Sequence, residues 1–431
     1  MKRNIASRNW CAAICLLGLT LFGNPGYAEE SNRPDLPSPA QIESALGNHL
    51  LVLNAASELR MELANQRKWN SGNYEFNLSV GSAKRTVVST GQSLKEWDVA
   101  LERPLRLFNK VGIDEDIGAA SVARAEYALG NARHEAARTL LQLWFAWQRE
   151  QAQAALWQQQ VDILKQQVQM VEKRVKAGDA PKLELNQAQA AAAQAGVSWH
   201  QAQLRAQLAG NDLTRQFPAI PLPENLPPII PQAIEQNFAF WKSRVLEHNH
   251  ELGMAQEQNR VQQLLAQRSR ADQLPDPTVG VRYANEAGGS EKVTGVYVSV
   301  PLSFGQRSAT TDGATQQAAI AADQEAFVKR RLESDIYAAH TGAVNSYNTW
   351  QQAHDAAQAM RGNAELVAKA YSLGESSLSD SLSSRRFALE SSMAENLAQL
   401  DANEARYRLL LDAHQLWPLG NDEDEHHANH Y

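Results

Sequence analysis

The last stretch of the chain, NDEDEHHANHY, sets His426, His427 and His430 beside Asp422, Glu423, Asp424 and Glu425. Imidazoles among carboxylates are ligands that a borderline divalent metal accepts. The same tract also reads as a solvated acidic end, which is the preferred reading. Two other carboxylates stand out by position. Glu184 and Asp380 each lie six residues beyond a glycine, Gly178 in RVKAGDAPKLE and Gly374 in YSLGESSLSD, and the two acids are 196 residues apart. His248 and His250, in LEHNHEL, fall two apart on a predicted helix, so they share no face and read as ordinary surface positions. There is no nucleophile–base–acid trio, phosphate loop or metalloprotease helix motif. Catalysis is therefore not expected, and no cofactor is implied.

The elements that must position these residues follow from length, cysteine use and proline spacing. The chain has 431 residues, enough for two or three ordinary domains or one elongated body. Residues 1–28 read as an export signal. Lys2, Arg3 and Arg8 give a basic start, CAAICLLGLTLF a short apolar core, and Gly26-Tyr27-Ala28 a small-residue cleavage site near Ala28. Both cysteines, Cys11 and Cys15, lie inside this signal, so the mature chain has no disulfide, zinc-thiolate site or thiol nucleophile. Loss of the signal takes the formal charge from −7 to −10, against the basic footprint that nucleic acid needs. No later stretch is apolar enough for a transmembrane helix.

Prolines are absent between 105 and 180 and between 302 and 417. Such runs, rich in Ala, Leu, Gln, Glu and Arg, predict very long helices over 116–177 and 312–373. Each has 62 residues, about 93 Å at the helical rise, so the two are expected to pack side by side in a coiled-coil-like array. Six prolines in PAIPLPENLPPIIP mark residues 218–231 as a stiff linker. The halves on either side match. Pro104 and Pro301 are 197 apart, Gly81 and Gly280 are 199 apart, and Gly178 and Gly374 are 196 apart, the signature of an internal duplication. The expected organisation is a first repeat over 29–217 (helix, β-hairpin 74–103, long helix, turn 177–182, return helix), the linker, and a second repeat over 232–417 with hairpin 278–302 and turn 373–379. A tail at 418–431 completes it.

The hairpins rest on period-two alternation. Tyr74, Phe76, Leu78 and Val80 oppose Glu75, Asn77 and Ser79; Trp97, Val99 and Leu101 oppose Glu96, Asp98 and Ala100. Val279, Val281 and Tyr283, and Val296, Val298 and Val300, do the same in the second half. GSAKRTVVSTGQS and NEAGGSEK are the expected loops. The strands are near the length that a tilted strand needs to cross a bilayer. Four strands cannot close a barrel, so in a membrane several chains must share one. A soluble four-stranded sheet beside a helical stalk is the alternative.

This order of hairpin, long helix, glycine turn, return helix and proline linker, given twice, resembles the TolC family of outer-membrane efflux channels over residues 40–417. LPDPTVGVRY, VYVSVPLSFGQR, RVKAGDAPKLE and YSLGESSLSDSLSSRR are closest to its CzcC-like heavy-metal branch. The resemblance implies a mostly α fold with membrane β: three chains give four strands each to a 12-stranded transmembrane barrel that continues into an α-helical tunnel. It also implies a homotrimer in the outer membrane, its tunnel in the periplasm, with a periplasmic adaptor and an inner-membrane RND-type pump as partners. Its cargo would be heavy-metal cations. Gly178, Pro181, Gly374 and Leu373, within 176–183 and 372–379, would form the adaptor-docking tips, and Glu184 and Asp380 the gate, each a ring of three carboxylates. Many relatives carry an acylated N-terminal Cys; the mature chain is expected to carry none, since both cysteines fall inside the signal. The same duct serving drug efflux or type I secretion is the nearest rival, and a pore-less periplasmic scaffold a more distant one. If the tail is only solvated, truncation after Leu419 will leave zinc-binding stoichiometry unchanged in a titration; a lost equivalent would make it a metal site.

Overall fold

A computed structural model describes residues 33–72, 74–224, 227–302, 305–417 and 419. The signal segment and the tail histidines lie outside the described residues. Two short helices, α1 (Pro39–Gly47) and α2 (Leu50–Ser71), lead into strands β1 (Asn77–Val87) and β2 (Gln92–Pro104). The long helix α3 (Phe108–Ala177) and its return α4 (Lys182–Gln216) follow. The order then recurs as α5 (Phe238–Glu247), α6 (His250–Ala271), β3 (Thr278–Glu286), β4 (Glu291–Ser299), α7 (Gln306–Leu373) and α8 (Leu378–Asp412).

The long helices begin earlier than their composition predicts. α3 has 70 residues and α7 has 68, roughly 100 Å each. Both end where expected. Gly178 and Gly374 adopt left-handed φ values of 86° and 82°, which only glycine enters freely. At the first, Asp179 N–H donates to Arg174 O at 2.9 Å and Gly178 N–H to Val175 O at 3.1 Å. The second turn repeats the pattern with Glu375 to Ala370 at 2.9 Å and Gly374 to Tyr371 at 3.1 Å. Both are Schellman motifs that satisfy the orphan carbonyls of a helix end. Pro181 does not enter the following helix; it stands just before it, extended at φ −74° and ψ 152°.

α3 packs against α4, α2, α6 and α8, and α7 against α8 and α6. Small residues make the close contacts. Ala188, Ala195 and Ala202 of α4 are buried at intervals of seven, as are Ala357, Ala364 and Tyr371 of α7. A strict seven-residue repeat is the mark of left-handed supercoiling. The largest apolar core gathers Leu140, Leu141 and Phe145 of α3 with Leu213, Phe217, Leu409 and Leu411, where α1, α3 and the ends of α4 and α8 meet.

The four strands form one antiparallel sheet in the order β1-β2-β3-β4. They run further than the alternation suggests. Most residues of the expected loop 81–93 pair as strand, Arg85 opposite Leu94 and Thr86 opposite Ser93, because side chains of either polarity suit a strand that buries neither face. Leu78, Leu101, Val281 and Val296 fall opposite one another across the sheet. This apolar row is exposed, from 41% at Leu101 to 75% at Val296. The other face carries Asn77, Glu102 and Tyr297, joined by hydrogen bonds of 2.9 and 2.7 Å onto Glu102.

Ala202 is fully buried against Ala154, Ala206 and Trp157. Ala202→Leu is expected to cost about 1–3 kcal/mol through overpacking, read as a lowered thermal midpoint by circular dichroism.

Candidate functional site at the hairpin tips

The far ends of the two helical hairpins meet through a small apolar cluster. Val171 of α3, Ala188 of α4, Tyr371 of α7 and Leu378 of α8 are buried together, with Val168, Val175, Leu185 and Leu382 around them. On this base the polar groups take defined places. The Tyr371 hydroxyl donates to Glu184 Oε2 at 2.8 Å, and the Arg174 guanidinium lies 5.0 Å from the Tyr371 ring centre, within cation–π range. Burial, then the bond to Glu184 and its charge, push the Tyr371 hydroxyl up to about 12, so it stays a donor at every physiological pH. The result is a latch tying one hairpin to the other.

Asp380 is placed differently. Ser377 Oγ donates to Asp380 Oδ2 at 2.7 Å, and Asp380 N–H donates back to Ser377 Oγ at 3.1 Å. This is a capping box opening α8, which also sets a negative charge at the favourable end of the helix dipole. Glu184 and Asp380 therefore occupy matching positions, in the first turns of α4 and α8, with different local partners. Leu183 and Leu373 are exposed at 64% and 65%. With the neighbouring Gly178, Pro181 and Gly374, also exposed, they leave each tip with a bare apolar side chain. Tyr371 and Arg174 sit in the quoted tip phrases, but nothing in residue type or spacing singles them out.

A second constellation, at the sheet end of α3, was also not foreseen. Lys110 is fully buried; its ammonium lies 3.0 Å from Asp272 and 2.9 Å from Asp276 and donates to Leu274 O at 2.8 Å. Asp114, also buried, pairs with Arg106 at 3.1 Å and with Arg268. Arg106 further donates to the carbonyls of Trp69 and Asn70, and Tyr74 donates to Asp276 at 3.0 Å. Three cations and three carboxylates thus fasten α2, α3 and α6 to the base of the strands. The Asp in LPDP is the visible part of this network.

His248 and His250 do not share a helix. Asn249 interrupts it, accepting from Leu252 N–H at 2.8 Å as the cap of α6, and both histidines are half-buried. Among the described residues no helix is long and apolar enough to cross a membrane, and no group of three or more His, Cys, Asp or Glu is placed to hold a metal ion.

Paired helical hairpins about 100 Å long, continuing from a small antiparallel sheet with an exposed apolar face, define the fold of the outer-membrane channels. The CmeC outer membrane channel of Campylobacter jejuni is similar with a TM-score of 0.76 and 14% identity, over 99% of this chain and 97% of that one. The outer membrane protein VceC of Vibrio cholerae gives 0.72 and 16%, over 87% and 95%. The MtrE outer membrane channel of Neisseria gonorrhoeae, in its open state, gives 0.64 and 16%, over 88% and 89%. Residues 42–216 match the outer membrane efflux protein family, whose members are transport proteins and not enzymes. No curated protein sequence matches the chain.

Lys110→Met would leave Asp272 and Asp276 without their buried partner. A loss of about 3–5 kcal/mol is expected, as for other broken buried pairs, seen as a large drop in the thermal midpoint with the helical spectrum retained at low temperature.

Proposed function

We propose that this chain is one of three identical subunits of an outer-membrane efflux channel, the exit duct of a tripartite exporter. The observation that carries this reading is the sheet. Its outer strands, β1 and β4, each have one neighbour, and its apolar row faces outward. In lipid every backbone group must be paired, four strands are too few to close, and three copies would supply a twelve-stranded barrel. The long hairpins would then continue the pore as a helical tunnel into the periplasm, with the signal segment directing export. The exposed Leu183 and Leu373 at the tips suit docking of a periplasmic adaptor, itself engaged by an inner-membrane RND-type pump. We further propose heavy-metal cations as cargo. This rests on the CzcC-like phrases and on acidic residues at both tips, since three copies would ring the bore with carboxylates at Glu184 and Asp380, favouring cations.

The test of the assembly is direct. Purified protein in mild detergent should run as a heat-sensitive trimer and permeabilise vesicles; a monomer that leaves vesicles sealed would overturn the reading. For the tip, substitutions that separate charge from structure are needed, because Asp380→Ala would also remove a helix cap worth about 1 kcal/mol. Glu184→Gln and Asp380→Asn are expected to weaken divalent block in planar bilayers, whereas Tyr371→Phe, which keeps every charge but breaks the latch, should raise conductance. Unchanged block in both charge variants removes the acids from the gate.

A further inference from the structure

The outward face of the sheet changes character along its strands. Its apolar rows end at Trp97 and Tyr283, both exposed, with ring centres 5.6 Å apart. Beyond them, toward the β1–β2 and β3–β4 connections, the same face carries lysine. Lys84 stands directly opposite Lys95. Lys292 is opposite Asn285, which in turn is opposite Trp97. Two-residue alternation puts all three lysines on the side of Leu78, Leu101, Val281 and Val296, and all three are exposed.

The carboxylates of the strands lie on the other side. Glu96, Asp98, Glu102, Glu286 and Glu291 alternate onto the inner face, where the cations are paired. Arg85 is 3.0 Å from Glu96 and 3.6 Å from Glu286, and Arg282 is 3.5 Å from Asp98. Arg103, at the base of the outward face, also has partners: it donates to Tyr74 O at 2.8 Å and lies 4.9 Å from the Phe76 ring centre. Among the described residues no side-chain ion pair or hydrogen bond occupies the ammonium of Lys84, Lys95 or Lys292. Like charges set directly opposite on neighbouring strands repel, and such a pair is relieved by an anion between them. Protection of a sheet edge, a common use of lysine on outer strands, accounts for Lys84 and Lys292. It does not account for Lys95, which lies on the inner strand β2.

We propose that Lys84, Lys95 and Lys292 form a binding surface for the phosphate groups of an anionic outer-leaflet lipid at the loop-side rim of the barrel, an assignment that rests on the channel reading above. The compact, fully charged ammonium group suits phosphate oxygens. The depth agrees as well. Arg103 and Lys95 are eight residues apart on β2, roughly 27 Å along the strand at about 3.4 Å per residue. A tilt of about 40° leaves roughly 21 Å between these two cationic levels, close to the ~25 Å apolar band of outer-membrane barrels. Aromatic rings settle at the membrane–water interface, so ammonium groups just beyond Trp97 and Tyr283 reach the headgroups. The long helices leave the sheet at its opposite end, which makes this the rim away from the periplasm. β1 and β4 are the outer strands. In a closed barrel β4 of one copy would lie beside β1 of the next, and the lysine row would run on around the rim.

The experiment titrates lipid A, a diphosphorylated glycolipid, into neutral dodecyl maltoside micelles holding the full-length protein. The temperature at which the trimer dissociates is read on gels. Wild type is compared with a Lys84→Gln, Lys95→Gln, Lys292→Gln variant. A Lys165→Gln, Lys329→Gln, Lys369→Gln variant loses the same charge from exposed helical positions. Lipid A is expected to raise the wild-type dissociation temperature, and phosphatidylcholine to leave it unchanged. Each lysine near an anionic surface strengthens association roughly fivefold. The half-protecting concentration of lipid A should therefore rise at least about fivefold in the sheet variant and stay at the wild-type value in the helix variant. Wild-type protection of the sheet variant, or an equal loss in the helix variant, overturns the proposal. So does full protection by inorganic phosphate alone, which would mark a site for the free ion. A protein that forms no trimer in neutral micelles overturns the channel reading and this surface with it; a trimer indifferent to lipid A overturns the lysine surface alone. Should the sheet variant not assemble, the single Lys95→Gln variant decides: a rise in the half-protecting concentration supports the surface, and no rise overturns it.

Discussion

β1 and β4 each leave one row of backbone N–H and C=O groups without a partner in the sheet. In water such edges invite association; in hydrocarbon they are intolerable. The outward row of Leu78, Leu101, Val281 and Val296 adds the second half of the constraint, because a sheet with this face suits lipid and its polar opposite face suits a wet interior. The rest of the molecule follows from where the sheet ends. Its strands need an anchorage that does not rely on apolar burial, and the charged network around Lys110 and Asp114 supplies one at their base.

Below that anchorage the chain builds length with very little bulk. Alanines at seven-residue intervals let α3 and α4, and α7 and α8, approach closely, so that each pair forms a thin double rod. The largest group of big apolar side chains is the core around Phe145 and Leu411; smaller clusters sit around Val161, Leu164 and Trp157 partway along and at the tips. Between them the hairpins are held mainly by small-residue packing and ion pairs such as Arg149 with Asp401 and Glu404. Such an array exposes much of its surface, part of which the other copies would cover in the proposed trimer.

Much of this architecture is written in one-residue rules. Proline-free runs and the glycines at 178 and 374 locate the helical hairpins because a missing N–H or a left-handed φ acts locally, whatever the tertiary context. Strand alternation locates the sheet for the same reason, though not its full extent, since the strand ends carry mixed polarity. What stayed hidden depends on partners far apart in sequence. Tyr371 finds Glu184 187 residues away, Lys110 finds Asp276 166 residues away, and His134 lies beside His414 only because α8 ends at α3. The misreading of His248 and His250 has a different source: Asn249 restarts a helix in mid-run, and a helical periodicity argument does not see a cap placed between two good helical segments.

α3 runs without a break from the Lys110 anchorage to the Gly178 turn, and α7 does the same toward Gly374. Neither contains a proline to bend at. A rod of that kind does not fold in the middle; it pivots. The reversals of the chain fall at the glycine corners below and the strand junctions above, so a twist imposed at one extremity reaches the other along the same two uninterrupted rods.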